Sequence, residues 1–106
     1  MLLSRIGLLK VDEWIKSIDI NIKGVLYCVA KAIPIMKEQK TGHIINISSD
    51  ADRKLFAGSY IYSATKAAVT MISEGLKKEL IEDGFKNIKV ISLSFYFFHH
   101  LKIFSL

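Results

Sequence analysis

The sequence holds one cysteine, one proline and no long apolar run. A lone Cys28 excludes an internal disulfide and any metal site built from several cysteines. Its small, weakly polar side chain predicts a core position, and a reduced, intracellular compartment suits it. The longest apolar runs, such as 25–30, fall far short of the roughly 20 residues of a membrane span. The start, Met1-Leu2-Leu3-Ser4-Arg5, has no charged opening followed by a long apolar stretch, so no secretory signal is expected and the chain reads as cytoplasmic. Basic clusters are scarce. Of fifteen Lys and Arg against ten Asp and Glu, a net charge of +5, only Arg53-Lys54 and Lys77-Lys78 are adjacent. No basic stripe alternates with aromatics and no zinc-finger spacing occurs, so a nucleic-acid partner is not expected. Adjacent His99-His100 point in different directions in either regular structure, and no further ligand cluster joins them, so no metal is expected.

What is present is a chain of 106 residues, 51% apolar and 24% charged. That is one domain at most and too apolar for disorder. A chain this short buries only about 60–70% of its unfolded surface, so its core is expected to be thin.

After an irregular lead-in over 1–10, Trp14, Ile18, Ile22, Val25, Val29, Ala32 and Ile33 recur at steps of three and four. This is the helical period. It predicts a helix over 11–40, with Asp12 as its cap and Glu13 in its first turn. Bends are expected near 21–24 and ahead of Pro34, where a helix hydrogen bond is lost, and Thr41-Gly42 is expected to end the helix. The stretch 43–48 is short, β-branched and bounded by polar residues, as a buried strand is. Residues 49–59 read as a loop, 61–83 as a second helix stopped by Gly84, and 87–94 as a second strand. Helix, strand, helix, strand, with a helix joining two buried strands, is a βαβ unit of an α/β fold. Residues 95–106 change character: strongly aromatic, without period or turn punctuation.

The chemistry lies in Tyr62-Ser63-Ala64-Thr65-Lys66. Residues four apart share a helix face, which brings the Tyr62 hydroxyl and the Lys66 ammonium within reach. A neighbouring cation favours a phenolate, and a phenol so tuned serves as a general acid–base group. Tyr60 has only Ala64 at the same spacing. Alone, this pattern equally describes a half-buried tyrosine beside a solvated lysine. Two further features add to it. Asn46-Ile47-Ser48-Ser49 closes a strand, and open α/β sheets bind ligands beyond such strand ends. Asn21 sits at the bend of the first helix, where a mid-helix asparagine has a local hydrogen-bonding reason to be.

Taken together, Ile20-Asn21-Ile22-Lys23-Gly24, Gly42-His43-Ile44-Ile45-Asn46-Ile47-Ser48-Ser49 and Tyr62-Ser63-Ala64-Thr65-Lys66-Ala67-Ala68-Val69 resemble the classical short-chain dehydrogenases/reductases in order and spacing, over about 1–94. The resemblance implies a partial Rossmann fold (a doubly wound parallel sheet) and hydride transfer between NADP or NAD and an alcohol or carbonyl substrate. It implies that Tyr62 passes the proton, that Ser49 orients the substrate oxygen, and that Lys66 tunes Tyr62 and holds the nicotinamide ribose. Asn21 would hold a water that links Lys66 to solvent. Complete members form homo-oligomers through their long helices. Such roles agree with hydroxyl donors placed where charge develops on oxygen and with a cofactor that carries the hydride.

Three departures accompany the resemblance. The six glycines never fall at a short Gly-x-Gly spacing, so the turn that cradles a pyrophosphate is absent. So is the residue that selects NAD or NADP. Residues 1–94 therefore read as the catalytic half of a cofactor-binding domain. Where the family has Ala-Gly after the serine, this chain has Ala51-Asp52, which either disturbs the loop or sits at its rim. Where it continues Pro-Gly, this chain continues Phe95-Tyr96-Phe97-Phe98. Residues 95–106 read either as unrelated to the fold, from a translated intron or alternative end, or as a true aromatic tail covering exposed core. The expected function is an oxidoreductase half, inactive alone because half its cofactor site is lacking. The alternatives are a non-catalytic interaction fragment that associates with full-length relatives, and a fragment with no stable fold, since two strands covered on one side leave a face and edges open.

Overall fold

The computed structural model describes residues 3–49, 57–96 and 100–105, with the side chains of 48–49, 93–96 and 100–105 outside the description. A single 3-10 turn, Ile6–Leu8, leads into α1 (Val11–Ile18), a π turn (Asp19–Lys23) and α2 (Gly24–Gln39); β1 (Gly42–Ser49), α3 (Tyr60–Glu82), β2 (Ile88–Tyr96) and β3 (His100–Ser105) follow. The long first helix is thus present and interrupted at the expected place. Gly24 N–H donates five residues back, to the Asp19 carbonyl, so one extra residue is accommodated in the turn that holds Asn21. Helix α2 continues through Pro34.

Both ends of this helix differ slightly from expectation. Its first carbonyl acceptor is Lys10, which takes the amides of Glu13 and Trp14. The helix therefore starts ahead of Asp12. Asp12 is not the cap but lies with Glu13 in the first turn, where a carboxylate favours the positive end of the helix dipole. At the other end Lys40, not Gly42, takes the left-handed conformation, with φ 63°. Gly42 instead opens β1, where a Cβ would lie 2.6 Å from Met36 Cγ and Sδ. A left-handed non-glycine residue costs about 1–2 kcal/mol, and glycine costs about 0.5–1 kcal/mol in unfolded-chain entropy. Lys40→Gly should therefore stabilise the chain by about 0.5 kcal/mol, seen as a higher urea midpoint at unchanged slope.

β1 and β2 pair in parallel from Gly42↔Ile88 to Ser49↔Phe95, with α3 as the connection. The helix lies across one face of both strands. Leu80 of α3 packs on Ile88 and Val90 of β2, with Leu76, Ile44 of β1, Ile33 and Met36 of α2, and Phe85 around them. Lys37 reaches from α2 to the end of α3, 4.0 Å from the Asp83 carboxylate and 5.2 Å from the centre of the Phe85 ring. Among the described residues the buried large apolar side chains are Val69, Leu80, Ile88 and Val90, a core as thin as the length implies. The opposite face of the sheet is uncovered: Ile45 and Ile47 of β1 are 55% and 48% exposed. The order helix–strand–helix–strand with a parallel pair is the partial Rossmann architecture expected.

One expectation is corrected, and one segment gains a described partner. Cys28 is exposed, not in the core, because the side of α2 that carries it faces an open cleft. Residues 95–96 and 100–105 lie within the sheet. β2 continues to Tyr96, and His100–Ser105 returns antiparallel to it, from Ile91↔Ser105 to Tyr96↔His100, giving the order β1-β2-β3. The physical reason is that β2 would otherwise offer an unpaired edge, and a run rich in aromatic and β-branched residues suits a strand. His99 and the loop residues Ala51 and Asp52 lie outside the described residues. No helix among those described is long and apolar enough to cross a membrane.

Candidate active site

The π turn and the first turns of α3 come together through side chains. Asn21 Nδ2 donates to Thr65 Oγ1 at 3.0 Å, and Thr65 Oγ1 donates to the Tyr62 carbonyl at 2.7 Å. π turns are rare and gather at functional sites. Here the widened turn holds Asn21 toward α3. The exposed pair Lys23–Asp19 spans the turn at 3.0 Å, and the Asp19 carboxylate, by hydrogen bond and by charge, raises Lys23 above the ordinary lysine range.

Tyr62 and Lys66 lie one turn apart on α3, as their spacing predicts, with the ammonium 5.8 Å from the centre of the Tyr62 ring. That ammonium also donates to the Ile47 carbonyl at 3.3 Å. The direction of this carbonyl follows from the ladder. Gly42 N–H donates to the carbonyl of Asn87, the residue just before β2, and in a parallel pair alternate residues turn both backbone groups to the partner. Gly42, Ile44, Asn46 and Ser48 therefore face β2, while His43, Ile45, Ile47 and Ser49 present theirs at the open edge of β1. Lys66 covers one of these edge carbonyls. Its position brings the charged end of the Tyr62–Lys66 pair to the C-terminal end of β1, two residues from Ser49.

The structure therefore assembles Asn21, Tyr62 and Lys66. It places the backbone of Ser49 at the last position of β1, and the Ser49 side chain is outside the description. Along the same edge runs an open cleft of about 610 Å³, with Val25, Cys28, Val29 and Ala32 of α2 on one side, Ile45 and Ile47 of β1 on the other, and Lys66 on its lining.

Two polar features were not anticipated from sequence. Thr65 lies in the singled-out pentapeptide, yet only its 2% exposure and its two partners reveal its part. Asn46 of β1 donates to Ser73 Oγ, which donates to the Val69 carbonyl at 2.9 Å. Ser92, opposite Asn46 in the ladder, keeps a buried hydroxyl without a hydrogen-bond partner among the described residues. These links fix β1 under α3 just before the strand end that carries Ser49. The available signal was the polar Asn46 amid isoleucines, since a buried amide needs a partner.

The geometry agrees with comparison to known proteins. The family model for short chain dehydrogenase matches residues 3–99. An uncharacterised oxidoreductase of Staphylococcus aureus strain MW2 is 52% identical over 94 residues, which cover 89% of this chain and 39% of that protein. One of Staphylococcus saprophyticus is 49% identical over 85 residues, covering 80% and 34%. Among solved structures, serine dehydrogenase from Escherichia coli matches with a TM-score of 0.78 at 34% identity, over 87% of this chain and 41% of that one. A closed form of serine dehydrogenase complexed with NADP+ matches with a TM-score of 0.80 at 33% identity, over 89% and 37%. The chain spans about two fifths of the length of these relatives. With the parallel pair, the π turn at Asn21 and the Tyr62–Lys66 turn in their expected order, the match leaves one assignment: the chain belongs to the short-chain dehydrogenase family of oxidoreductases.

Proposed function

We propose that this chain carries the proton-transfer centre of a nicotinamide-dependent oxidoreductase that interconverts an alcohol and a carbonyl compound in the cytoplasm. The observation that carries this reading is the linkage of Asn21, Thr65, Tyr62 and Lys66 at the C-terminal end of β1. Tyr62 passes a proton to or from the substrate oxygen. Ser49 hydrogen-bonds that oxygen from the strand end. The Lys66 ammonium lies beside the Tyr62 ring and holds the ribose of the nicotinamide cofactor. Asn21 holds a water on the path from Lys66 to solvent.

The donor set fits the sugar end of a nicotinamide cofactor. An ammonium has three N–H donors, and the Ile47 carbonyl takes one, so Lys66 has donors left for ribose hydroxyls. When bound, NADP or NAD supplies or takes the hydride. The residues here do not supply a glycine-rich turn for the pyrophosphate, and helix-terminal phosphate binding contributes much of such affinity. The 106 residues alone are therefore inactive, and catalysis belongs to an assembly that adds that turn. Titration of the purified chain with NADPH and NADH, followed by cofactor fluorescence, should show no saturable binding up to millimolar concentration. Saturable binding with turnover would overturn the claim of inactivity.

A second reading has its own support. The uncovered Ile45 and Ile47 and the open edge of β1 give a surface suited to association, and the alternative function is then a non-catalytic fragment that binds full-length relatives. Co-expression with a full-length relative, followed by size-exclusion chromatography, separates the two: a stable mixed complex favours this reading, and its absence removes it.

A further inference from the structure

Thr65 is almost fully buried, and its one hydroxyl serves two partners. It donates to the Tyr62 carbonyl and accepts from Asn21. A hydroxyl has a single proton. Because a carbonyl cannot donate, the Thr65 proton is committed to Tyr62 and the Thr65 oxygen can only accept. Asn21 must therefore turn its NH2 group toward Thr65, which leaves its carbonyl oxygen, Oδ1, on the other side of the amide.

We propose that Thr65 is a positioning residue: it fixes which way the Asn21 amide faces and ties the π turn Asp19–Lys23 to the turn of α3 that bears Tyr62 and Lys66. This rests on the reading of Tyr62 and Lys66 as the proton-transfer pair. Without the Thr65 hydroxyl, the Asn21 amide loses the partner that sets its direction, and the π turn loses this side-chain tie to α3. The sequence position agrees with this part. Thr65 lies between Tyr62 and Lys66 but points to the buried side of α3, so it touches neither solvent nor the cleft side of the pair.

The test uses the 15N-labelled chain and reads exchange of the Asn21 side-chain amide protons with water, taking exposed Asn87 as the internal reference. In the unaltered chain, exchange at Asn21 should be about tenfold slower than at Asn87, the effect of one hydrogen bond in a sheltered site. Thr65→Ser keeps the hydroxyl and should retain that protection. Thr65→Val keeps the shape, removes the hydroxyl and should bring Asn21 to the rate of Asn87, while far-ultraviolet circular dichroism stays unchanged. Equal rates at Asn21 and Asn87 in the unaltered chain would overturn the proposal, as would protection that survives in Thr65→Val. If Thr65→Val fails to fold, the unaltered chain and Thr65→Ser still decide, because loss of protection in Thr65→Ser also contradicts it. Failure of the oxidoreductase reading is seen separately, in the cofactor titration, and leaves the exchange rates untouched.

Discussion

Tyr62→Phe should lower turnover by about 10²–10⁴-fold, the usual worth of a positioned general acid–base group, with cofactor affinity within about twofold. The measurement needs a chain that supplies phosphate binding. A graft serves: the matched segment of the serine dehydrogenase whose closed form is complexed with NADP+, 33% identical, is replaced by the corresponding residues of this chain. The substitution removes one oxygen and leaves the ring. The ring contact with the Lys66 ammonium, 5.8 Å from its centre, persists, as does the Tyr62 backbone carbonyl that Thr65 uses. Folding and cofactor binding are therefore spared, and the loss falls on kcat. Serine-dependent NADPH formation and NADP+ titration, run in parallel, separate the two quantities. A loss confined to cofactor binding would mean that Tyr62 only shapes the ribose site.

The second large effect is on stability. Leu80→Ala should destabilise the chain by about 3 kcal/mol, since removing a leucine side chain from a core costs about 2–5 kcal/mol. Leu80 is 2% exposed and joins α3 to Ile88 and Val90 of β2. The core around it is small, so the neighbours have little with which to fill the gap. For a domain near 100 residues each kcal/mol moves the melting temperature by roughly 4–8 °C, so a fall of about 12–24 °C is expected. Ile45→Ala is the contrast. Ile45 has the same apolar character but is half exposed on the uncovered face, and its loss should change stability by less than about 0.5 kcal/mol. Thermal melts of the three chains check both. Equal effects at the two positions would show that the far face of the sheet is covered in solution.

Particular residues show what could be read from the sequence and what could not. The helix interruption at 21–24 was legible because Asn21 and Gly24 together weaken a helix otherwise marked by apolar steps of three and four. The Tyr62–Lys66 turn was legible because helical spacing alone places the two on one face. Strand positions followed from β-branched runs, although each strand extends one or two residues further, since pairing continues as long as a partner edge is available. Cys28 was misplaced because the usual burial of free cysteine assumes a covered helix, and this side of α2 faces an open cleft. The antiparallel return at His100–Ser105 was missed because aromatic residues without alternation carry no period. What drives the pairing is a neighbour in space, the free edge of β2, which sequence order does not display. Thr65 escaped notice for a related reason. Threonine in a helix is unremarkable until a residue 44 positions away supplies the amide that gives its hydroxyl a second partner.

On the proposed reading, Asn21, Ser49, Tyr62 and Lys66 form a proton-transfer centre that works once a phosphate-binding turn is supplied. Serine-dependent formation of NADPH, compared between the isolated chain and the graft at equal concentration and saturating NADP+, tests it most directly. The account predicts no rate above the buffer blank for the isolated chain and sustained turnover for the graft. A graft that folds and binds NADP+ yet remains inert with Tyr62, Lys66, Asn21 and Ser49 all in place would contradict it.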